Sequence, residues 1–103
     1  MTEPVKIAVL GVSGRMGQML FHAIQETEEA ILIGATERSG HDWVGKDLGE
    51  ILSGKKNEIT VSDQPIEIFA KAQAVVDFTT PKASTDHSIL SAQARIVHVI
   101  GTT

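Results

Sequence analysis

The chain of 103 residues has the length of one globular domain, and its 42% apolar and 21% charged residues exclude an intrinsically disordered protein. The formal charge of −4 argues against a nucleic-acid-binding protein, and the absence of cysteine excludes a disulfide scaffold, a zinc–thiolate site and a cysteine nucleophile. No apolar run reaches the roughly 20 residues of a membrane span, and the N-terminus does not resemble a signal peptide. We therefore expect a soluble, cytoplasmic domain.

The first part of the sequence predicts a strand, a helix and a second strand. Val5–Leu10 is apolar and ends at Gly11, which is typical of a buried parallel strand. Apolar residues then recur at helical spacing over residues 13–28, with Ser13 as the predicted N-cap. The predicted apolar face of this helix consists of Met16, Met19, Leu20, Ala23, Ile24 and Thr27. Residues 31–36 predict the second strand.

The rest of the sequence continues this alternation after an interruption. Residues 39–56 are rich in glycine and charge and predict a surface excursion, with a short helical turn at 48–52. A helix is predicted from Pro65 to Lys71, because proline is favoured in a first helical turn. The predicted apolar side of that helix consists of Ile66, Phe69 and Ala70. The other predicted elements are strands at 59–61, 74–78 and 96–100 and a helix over 81–93.

Strands that alternate with helices indicate β-α-β units and a parallel sheet. The predicted fold class is therefore α/β, a Rossmann-like doubly wound, mostly parallel sheet with helices on both faces. Ligands in such folds bind at the carboxyl ends of the strands, where the strand order reverses. We expect residues 1–103 to form one dinucleotide-binding domain. Because the chain stops directly after its last predicted strand, we also expect it to be the N-terminal piece of a longer protein.

A glycine motif lies between the first strand and the first helix: Gly11-Val12-Ser13-Gly14-Arg15-Met16-Gly17. Gly11 allows a sharp turn, Gly14 allows the backbone to approach a diphosphate, and Gly17 allows the helix to pack closely. The first helical amides and the helix dipole would bind the diphosphate, and Arg15 would reach a phosphate oxygen. Ser13 replaces the second glycine of the usual G-x-G-x-x-G. A turn that needs glycine for its geometry alone remains the alternative.

Glu37 ends the second predicted strand, 20 residues after Gly17, near the offset at which a carboxylate binds the adenosine ribose. This carboxylate would repel a 2′-phosphate by roughly 4 kcal/mol at close range, and the neighbouring Arg38 would attract it by a similar amount. We therefore predict that both NADH and NADPH are used, with modest discrimination. A solvated turn carboxylate is the alternative interpretation of Glu37.

Two further groups of residues follow predicted strands at the same edge of the sheet. Phe78 and Thr79 are expected near the nicotinamide end of a bound dinucleotide. Asp77, which precedes them, is either a buried polar anchor or a cap of the strand end. The last strand is followed by Gly101, Thr102 and Thr103. Their backbone is expected to contact the nicotinamide amide and ribose, the alternative being a chain end without a role.

Other catalytic chemistries find little support in the sequence. The four histidines share no metal-ligand spacing such as H-E-x-x-H, so we predict no metal site. Each histidine is more typical of a core or surface position than of a catalyst. No G-x-S-x-G motif is present, which argues against a serine hydrolase.

Four motifs in order resemble those of the dihydrodipicolinate reductase (4-hydroxy-tetrahydrodipicolinate reductase) family, which acts in lysine and diaminopimelate biosynthesis. They are Gly-x-x-Gly-Arg-Met-Gly after the first strand, Glu-Arg after the second, Asp-Phe-Thr-x-Pro after the central strand, and Val-Ile-Gly-Thr-Thr at the end. The resemblance covers essentially the whole chain. The combination of Gly-Arg-Met-Gly with Asp-Phe-Thr is much more specific than the glycines alone.

The resemblance implies an oxidoreductase that transfers hydride from NADH or NADPH to a cyclic, unsaturated dicarboxylate imine or its hydroxylated precursor. The cofactor-binding residues that it implies are Gly11, Val12, Ser13, Gly14, Arg15, Met16, Glu37, Arg38, Phe78, Thr79, Gly101, Thr102 and Thr103. The family's His-His and Lys segment and its Ser-Gly-Thr loop belong to a C-terminal domain, so the resemblance places no catalytic residue within this chain. It also implies a homotetramer held together by that domain. We expect this piece alone to be inactive.

Two alternative functions remain open at this point. The chain could be the N-terminal domain of another reductase, such as an aspartate or homoserine dehydrogenase, although Asp-Phe-Thr-x-Pro argues against that assignment. It could also be a nucleotide-sensing module without chemistry of its own. A sensor would be expected to complete its sheet and to carry a dimer surface or a DNA-binding domain.

Overall fold

The computed structural model describes residues 3–79 and 97–100 and confirms the α/β fold class. In this part of the chain, four strands form one parallel sheet in the order β2-β1-β3-β4. The strands are β1 (Val5–Leu10), β2 (Ala30–Thr36), β3 (Ala74–Asp77) and β4 (Val97–Ile100), and the helices are α1 (Arg15–Gln25), α2 (Leu48–Ser53) and α3 (Pro65–Phe69). The helix predicted over 81–93 and residues 101–103 lie outside the described ranges.

Strand β1 is central because both of its faces are apolar. Val9 faces a core that includes Phe21 and Ile24 of α1, whereas Ala8 and Leu10 face a second core. That second core contains Ile68 and Phe69 of α3, together with Ala72 and Val75. Alternate side chains of a strand point to opposite faces, so α1 and α3 cover opposite sides of the sheet. Loss of a buried aromatic ring such as that of Phe21 costs about 3–5 kcal/mol.

Helix α1 is shorter than predicted, and the face that it buries differs in part from the predicted one. Its buried residues are Gly17, Phe21 and Ile24, which have the spacing i, i+4, i+7. Met16 and Met19, which were predicted to be buried, are 54% and 58% exposed. Ala23 and Thr27 are also exposed, and Leu20 is half-buried. The predicted face was therefore partly wrong: Ile24 is buried as predicted, but the prediction left out Phe21 and Gly17, whose ring burial and close approach determine which side of the helix meets the sheet.

The segment after β2 packs more closely than a surface excursion would. Leu48 of α2 is fully buried, and Trp43 and Val44 pack against the same core as α1. Residues 59–61, which were predicted to form a strand, form no continuous strand. Two isolated bridges take its place: Thr36 pairs with Ser62 in parallel, and Asp47 pairs with Thr60 in antiparallel orientation.

Helix α3 buries Ile68 and Phe69, and it ends at Phe69. The predicted face was therefore partly wrong, since Ile66 is 65% exposed and Ala70 is exposed. The reason lies in β2, where a Cβ built on Gly34 would lie 2.8 Å from Ile68 Cδ1. The missing side chain at Gly34 makes the space that the Ile68 side chain fills.

The Asp47 carboxylate organises the loop around α2. Its Oδ1 accepts hydrogen bonds from the amides of Glu50 (2.9 Å) and Asn57 (3.1 Å), and its Oδ2 accepts one from Glu58 (2.9 Å). The bond from Glu50 caps α2, and Glu58 is held at φ 65°, which is unusual for a residue other than glycine. These amide donors, Glu50 first, lower the pKa of Asp47 below its usual value.

We expect Asp47→Asn to lower the melting temperature at pH 7 and to weaken the loss of stability on acidification. A lowered folded-state pKa means that the stabilisation is present above the unfolded pKa and is lost as the pH falls through the folded pKa. Thermal unfolding measured from pH 7 to pH 2 tests this expectation. Asp42→Asn, at an exposed loop position, is the matched control. Equal melting temperatures and equal pH slopes for the two variants would contradict the assigned role of Asp47.

Candidate functional site

Three successive amides anchor the loop after β1 to the end of β2. The amides of Gly11 and Val12 donate to the Thr36 carbonyl at 3.0 and 3.2 Å. The Ser13 amide donates to Oε2 of Glu37 at 2.8 Å. Gly11 makes the turn at φ 75°, a conformation that side chains disfavour. The loop of residues 11–14, called the glycine loop below, and Glu37 are therefore held together without a ligand.

The end of β3 forms the opposite wall of this loop. The Phe78 amide donates to the Leu10 carbonyl at 2.9 Å. A Cβ built on Gly11 would lie 3.0 Å from the Phe78 carbonyl carbon and 3.1 Å from the Thr79 nitrogen. Gly11 is thus required by close approach as well as by its turn. Because β1 lies between β2 and β3, the strand order reverses at this loop, which is where ligands bind in such sheets.

Helix α1 begins beside this loop without a side-chain cap. Its N-cap is Gly14, which makes no side-chain capping hydrogen bond, and its first turn holds no acidic residue. The prediction of Ser13 as N-cap was wrong, because the Ser13 amide is bound by Glu37 and the chain becomes helical only after Gly14. First-turn amides have no carbonyl within their own helix, and the helix dipole adds roughly half a positive charge. This arrangement favours an anion.

A cavity of about 510 Å³ lies where β1, β2 and β3 end, within the size range of small-molecule sites. Its lining residues are Gly11, Ser13, Gly14, Thr36, Glu37, Arg38, Ser39, Asp63, Pro65, Phe78 and Thr79. Seven of these were predicted as cofactor-binding residues: Gly11, Ser13, Gly14, Glu37, Arg38, Phe78 and Thr79. The fold thus brings the ends of three strands together around one space.

Three other predicted site residues, Val12, Arg15 and Met16, are not among the lining residues. The Val12 side chain is fully buried in the core, so only its backbone is near the site, and its amide is already bound to Thr36. Arg15 and Met16 are exposed at the start of α1. Gly101, Thr102 and Thr103 lie outside the described residues.

Four lining residues were missed by sequence reasoning. Thr36 and Ser39 flank Glu37 and Arg38, so the same strand-end argument would have found them. Asp63 and Pro65 come from the segment after α2, which reaches the cavity because Ser62 pairs with the end of β2. The Ser62 amide donates to Ala35 and the Glu37 amide donates to Ser62, both at 3.0 Å. Nothing local in the sequence signals that pairing.

Asp77 is both a buried anchor and a strand-end cap. It is fully buried, and its Oδ1 accepts hydrogen bonds from the amide of Thr79 at 2.9 Å and from the Thr79 hydroxyl. Its Oδ2 lies 2.9 Å from Nε2 of His98. Within residues 3–79 and 97–100, no group of three His, Asp or Glu side chains is arranged to hold a metal ion. Among the helices of the same ranges, none has the length and the apolar composition of a membrane span.

Comparison with known proteins gives a consistent result. A family model described as "Dihydrodipicolinate reductase, N-terminus" matches residues 5–103. The 4-hydroxy-tetrahydrodipicolinate reductase of Ruegeria pomeroyi is 52% identical over 103 residues, which are 100% of this chain and 38% of that protein. The enzyme of the same name from Brucella abortus is 52% identical over 97 residues, which are 94% of this chain and 36% of that protein. The chain therefore spans under two-fifths of the length of these relatives.

Solved structures show the same fold. A dipicolinate-bound dihydrodipicolinate reductase from Paenisporosarcina sp. TG-14 superposes with a TM-score of 0.75 at 27% identity, covering 97% of this chain and 38% of that one. An amine dehydrogenase from Mycobacterium smegmatis superposes with a TM-score of 0.81 at 23% identity, covering 93% of this chain and 29% of that one. The second likeness concerns the fold alone.

We expect Gly17→Ala to destabilise the protein and Gly14→Ala to be better tolerated. A Cβ on Gly17 would lie 2.7 Å from the Val12 carbonyl oxygen and 2.8 Å from its Cα, both backbone atoms that cannot turn away. A Cβ on Gly14 would meet only the Gly11 oxygen, at 3.7 Å. Alanine favours a helix over glycine by about 1 kcal/mol, but overpacking costs about 1–3 kcal/mol.

Urea unfolding of the two variants beside the wild-type protein measures this difference. The expected order of unfolding free energy is wild type, then Gly14→Ala, then Gly17→Ala, with Gly17→Ala lower than wild type by about 1 kcal/mol or more. A Gly17→Ala protein as stable as wild type would show that the helix does not need this close approach.

Proposed function

Because the chain belongs to the dihydrodipicolinate reductase family, we propose that residues 1–103 form its dinucleotide-binding domain and bind NADH or NADPH for reduction of 4-hydroxy-tetrahydrodipicolinate. One observation carries the proposal. The glycine loop, which includes Gly14 as the N-cap of α1, and the Glu37-Arg38 pair line one cavity where the strand order reverses. The family match over residues 5–103 decides against an aspartate or homoserine dehydrogenase.

The diphosphate belongs at the start of α1. The amides of Gly11, Val12 and Ser13 are bound to β2, so the anion is left to the amides of the first helical turn. In this proposal, the anion accepts hydrogen bonds from first-turn amides that a side chain at the N-cap position, Gly14, would otherwise cap. The guanidinium of Arg15 adds a positive charge at the same end of the helix.

Glu37 is proposed to bind the adenosine ribose. Its Oε2 accepts from the Ser13 amide at 2.8 Å and its Oε1 accepts from the Arg38 amide at 3.3 Å. A carboxylate offers about four acceptor positions, so capacity for ribose hydroxyls remains. The two amides hold the carboxylate in place, and this preorganisation lowers the entropic cost of ribose binding.

The attraction of Arg38 for a 2′-phosphate offsets the repulsion of that phosphate by Glu37. Arg38 is exposed at the edge of the cavity, where solvent weakens its attraction for a phosphate, and the same screening weakens the repulsion from Glu37. Each effect is then about 1 kcal/mol, a severalfold change in dissociation constant. We therefore propose dual use of NADH and NADPH.

The chemistry of the reaction comes from the cofactor, which donates a hydride when bound. The chain's own part is to bind and orient: Phe78 and Thr79 form the wall proposed to face the nicotinamide end, and residues 101–103 are proposed to contact the nicotinamide through their backbone. The cyclic dicarboxylate substrate, the acid that protonates it and the homotetramer are proposed for the whole reductase. Residues 1–103 alone are then expected to show no turnover.

We expect Glu37→Gln to shift cofactor preference toward NADPH. Glutamine keeps an oxygen that accepts from the Ser13 amide but removes the charge that repels a 2′-phosphate. The ratio of the NADH to the NADPH dissociation constant should rise about fivefold to tenfold, and Arg38→Met should lower it by a similar factor.

Titration of each variant with both cofactors, followed by calorimetry or fluorescence, measures the ratio. Lys56→Met, which removes an exposed cation outside the cavity lining, should leave the ratio unchanged. If both site variants moved it in the same direction, or not at all, the roles of Glu37 and Arg38 would be wrong. Absence of saturable binding by the wild-type protein would overturn the proposed function itself.

A further inference from the structure

His98 of β4 has no part in the site described so far, yet it contacts a residue next to it. Its Nε2 lies 2.9 Å from Oδ2 of Asp77, and the two side chains are only 7% and 0% exposed. The parallel register pairs His98 with Val75, two residues before Asp77 on the neighbouring strand. The contact therefore links the edge of the described sheet to the carboxyl end of β3.

Among the described residues, the two oxygens of Asp77 have different partners. Oδ2 faces His98, whereas Oδ1 accepts from both the amide and the hydroxyl of Thr79. A buried carboxylate is costly to keep unless donors surround it. The carboxylate thus joins a histidine in the sheet to Thr79, which lines the cavity.

The cavity wall packs closely against the glycine loop. The backbone of Phe78 and Thr79 lies about 3.0–3.1 Å from where a Gly11 side chain would begin, so a displacement of Thr79 also displaces the wall relative to the glycine loop. Close-packed contacts of this kind transmit small shifts. A residue that fixes the Asp77 carboxylate therefore also fixes the position of Thr79.

We propose that His98 is a positioning residue for the cofactor cavity: by donating from Nε2 to Asp77, it fixes the carboxylate that holds Thr79 at the β3 wall. The choice of ligand rests on the proposed function, but the positioning itself does not. Packing alone would be served by any side chain of similar volume. Positioning requires a donor at the place of Nε2.

Three substitutions separate these two roles. Methionine at position 98 preserves volume and lacks the donor. Glutamine presents its amide nitrogen near the position of Nε2 and should restore the bond. Asparagine, whose amide stands nearer the position of Nδ1, is polar but too short to reach Asp77, and it replaces methionine if His98→Met does not fold. His22→Met, at an exposed position of α1, is the control.

The first readout needs no ligand. Hydrogen exchange of the Thr79 amide, followed by NMR, should become at least about tenfold faster in His98→Met or His98→Asn. It should remain within about threefold of wild type in His98→Gln and in His22→Met. Unchanged exchange in the donor-free variants, or equally fast exchange in His98→Gln, would overturn the proposal.

The second readout compares NADH with ADP-ribose, which lacks the nicotinamide. His98→Met should weaken NADH about tenfold and change ADP-ribose less than twofold, with His98→Gln close to wild type for both. Equal weakening of both ligands would mean a general packing effect and would overturn positioning of this wall. If the wild-type protein binds neither ligand, the proposed function fails, and the Thr79 exchange rates alone then decide whether His98 positions that residue.

Discussion

The attachment of the loop after β1 to the end of β2 is the constraint on which the site depends. Three consecutive amides, those of Gly11, Val12 and Ser13, are taken up by Thr36 and Glu37. Because these three amides already donate to acceptors within the protein, they are not available to a ligand. The amides that follow, at the start of α1, are therefore the ones left for an anion, and their direction is set by the parallel pairing of β1 and β2.

Glu37 has two roles, one in the loop after β1 and one in the cavity. It accepts from the Ser13 amide and so shapes the loop, and it lines the cavity beside Arg38. Loss of its side chain would change the loop and the charge together, whereas a change to glutamine separates the two effects. This double role also explains why a serine at position 13 is compatible with a dinucleotide site: its amide is occupied by Glu37, and its half-buried side chain lines the cavity instead of blocking the turn.

Local patterns in the sequence predicted the central strands and most of the cavity. β1, β2 and β3 are short apolar runs ended by a glycine or a polar residue, and a parallel sheet necessarily gathers their carboxyl ends. Glu37, Arg38, Phe78 and Thr79 could be assigned to one edge for that reason. The buried face of α1 was only partly assigned, with Ile24 on it and Phe21 left out, because Met16 and Met19 are apolar but Phe21 gains more from burial.

Long-range contacts escaped prediction. Ser62 pairs with β2 across more than 20 residues of chain, and this pairing helps to bring Asp63 and Pro65 to the cavity. The link between Asp77 and His98 depends on strand register, which the sequence does not reveal when both strands are short. Asp47 likewise holds amides ten and eleven residues away, so the folded path of residues 46–61 follows from one carboxylate more than from any periodic pattern.

A crystal structure of the protein with NADPH would show directly whether the start of α1 binds the diphosphate. We expect the diphosphate within hydrogen-bonding distance of the backbone amides of Arg15 and Met16, with the Ser13 amide still bound to Glu37. A nucleotide bound elsewhere, or a diphosphate that displaces Glu37 from Ser13 and leaves the start of α1 unoccupied, would contradict this expectation.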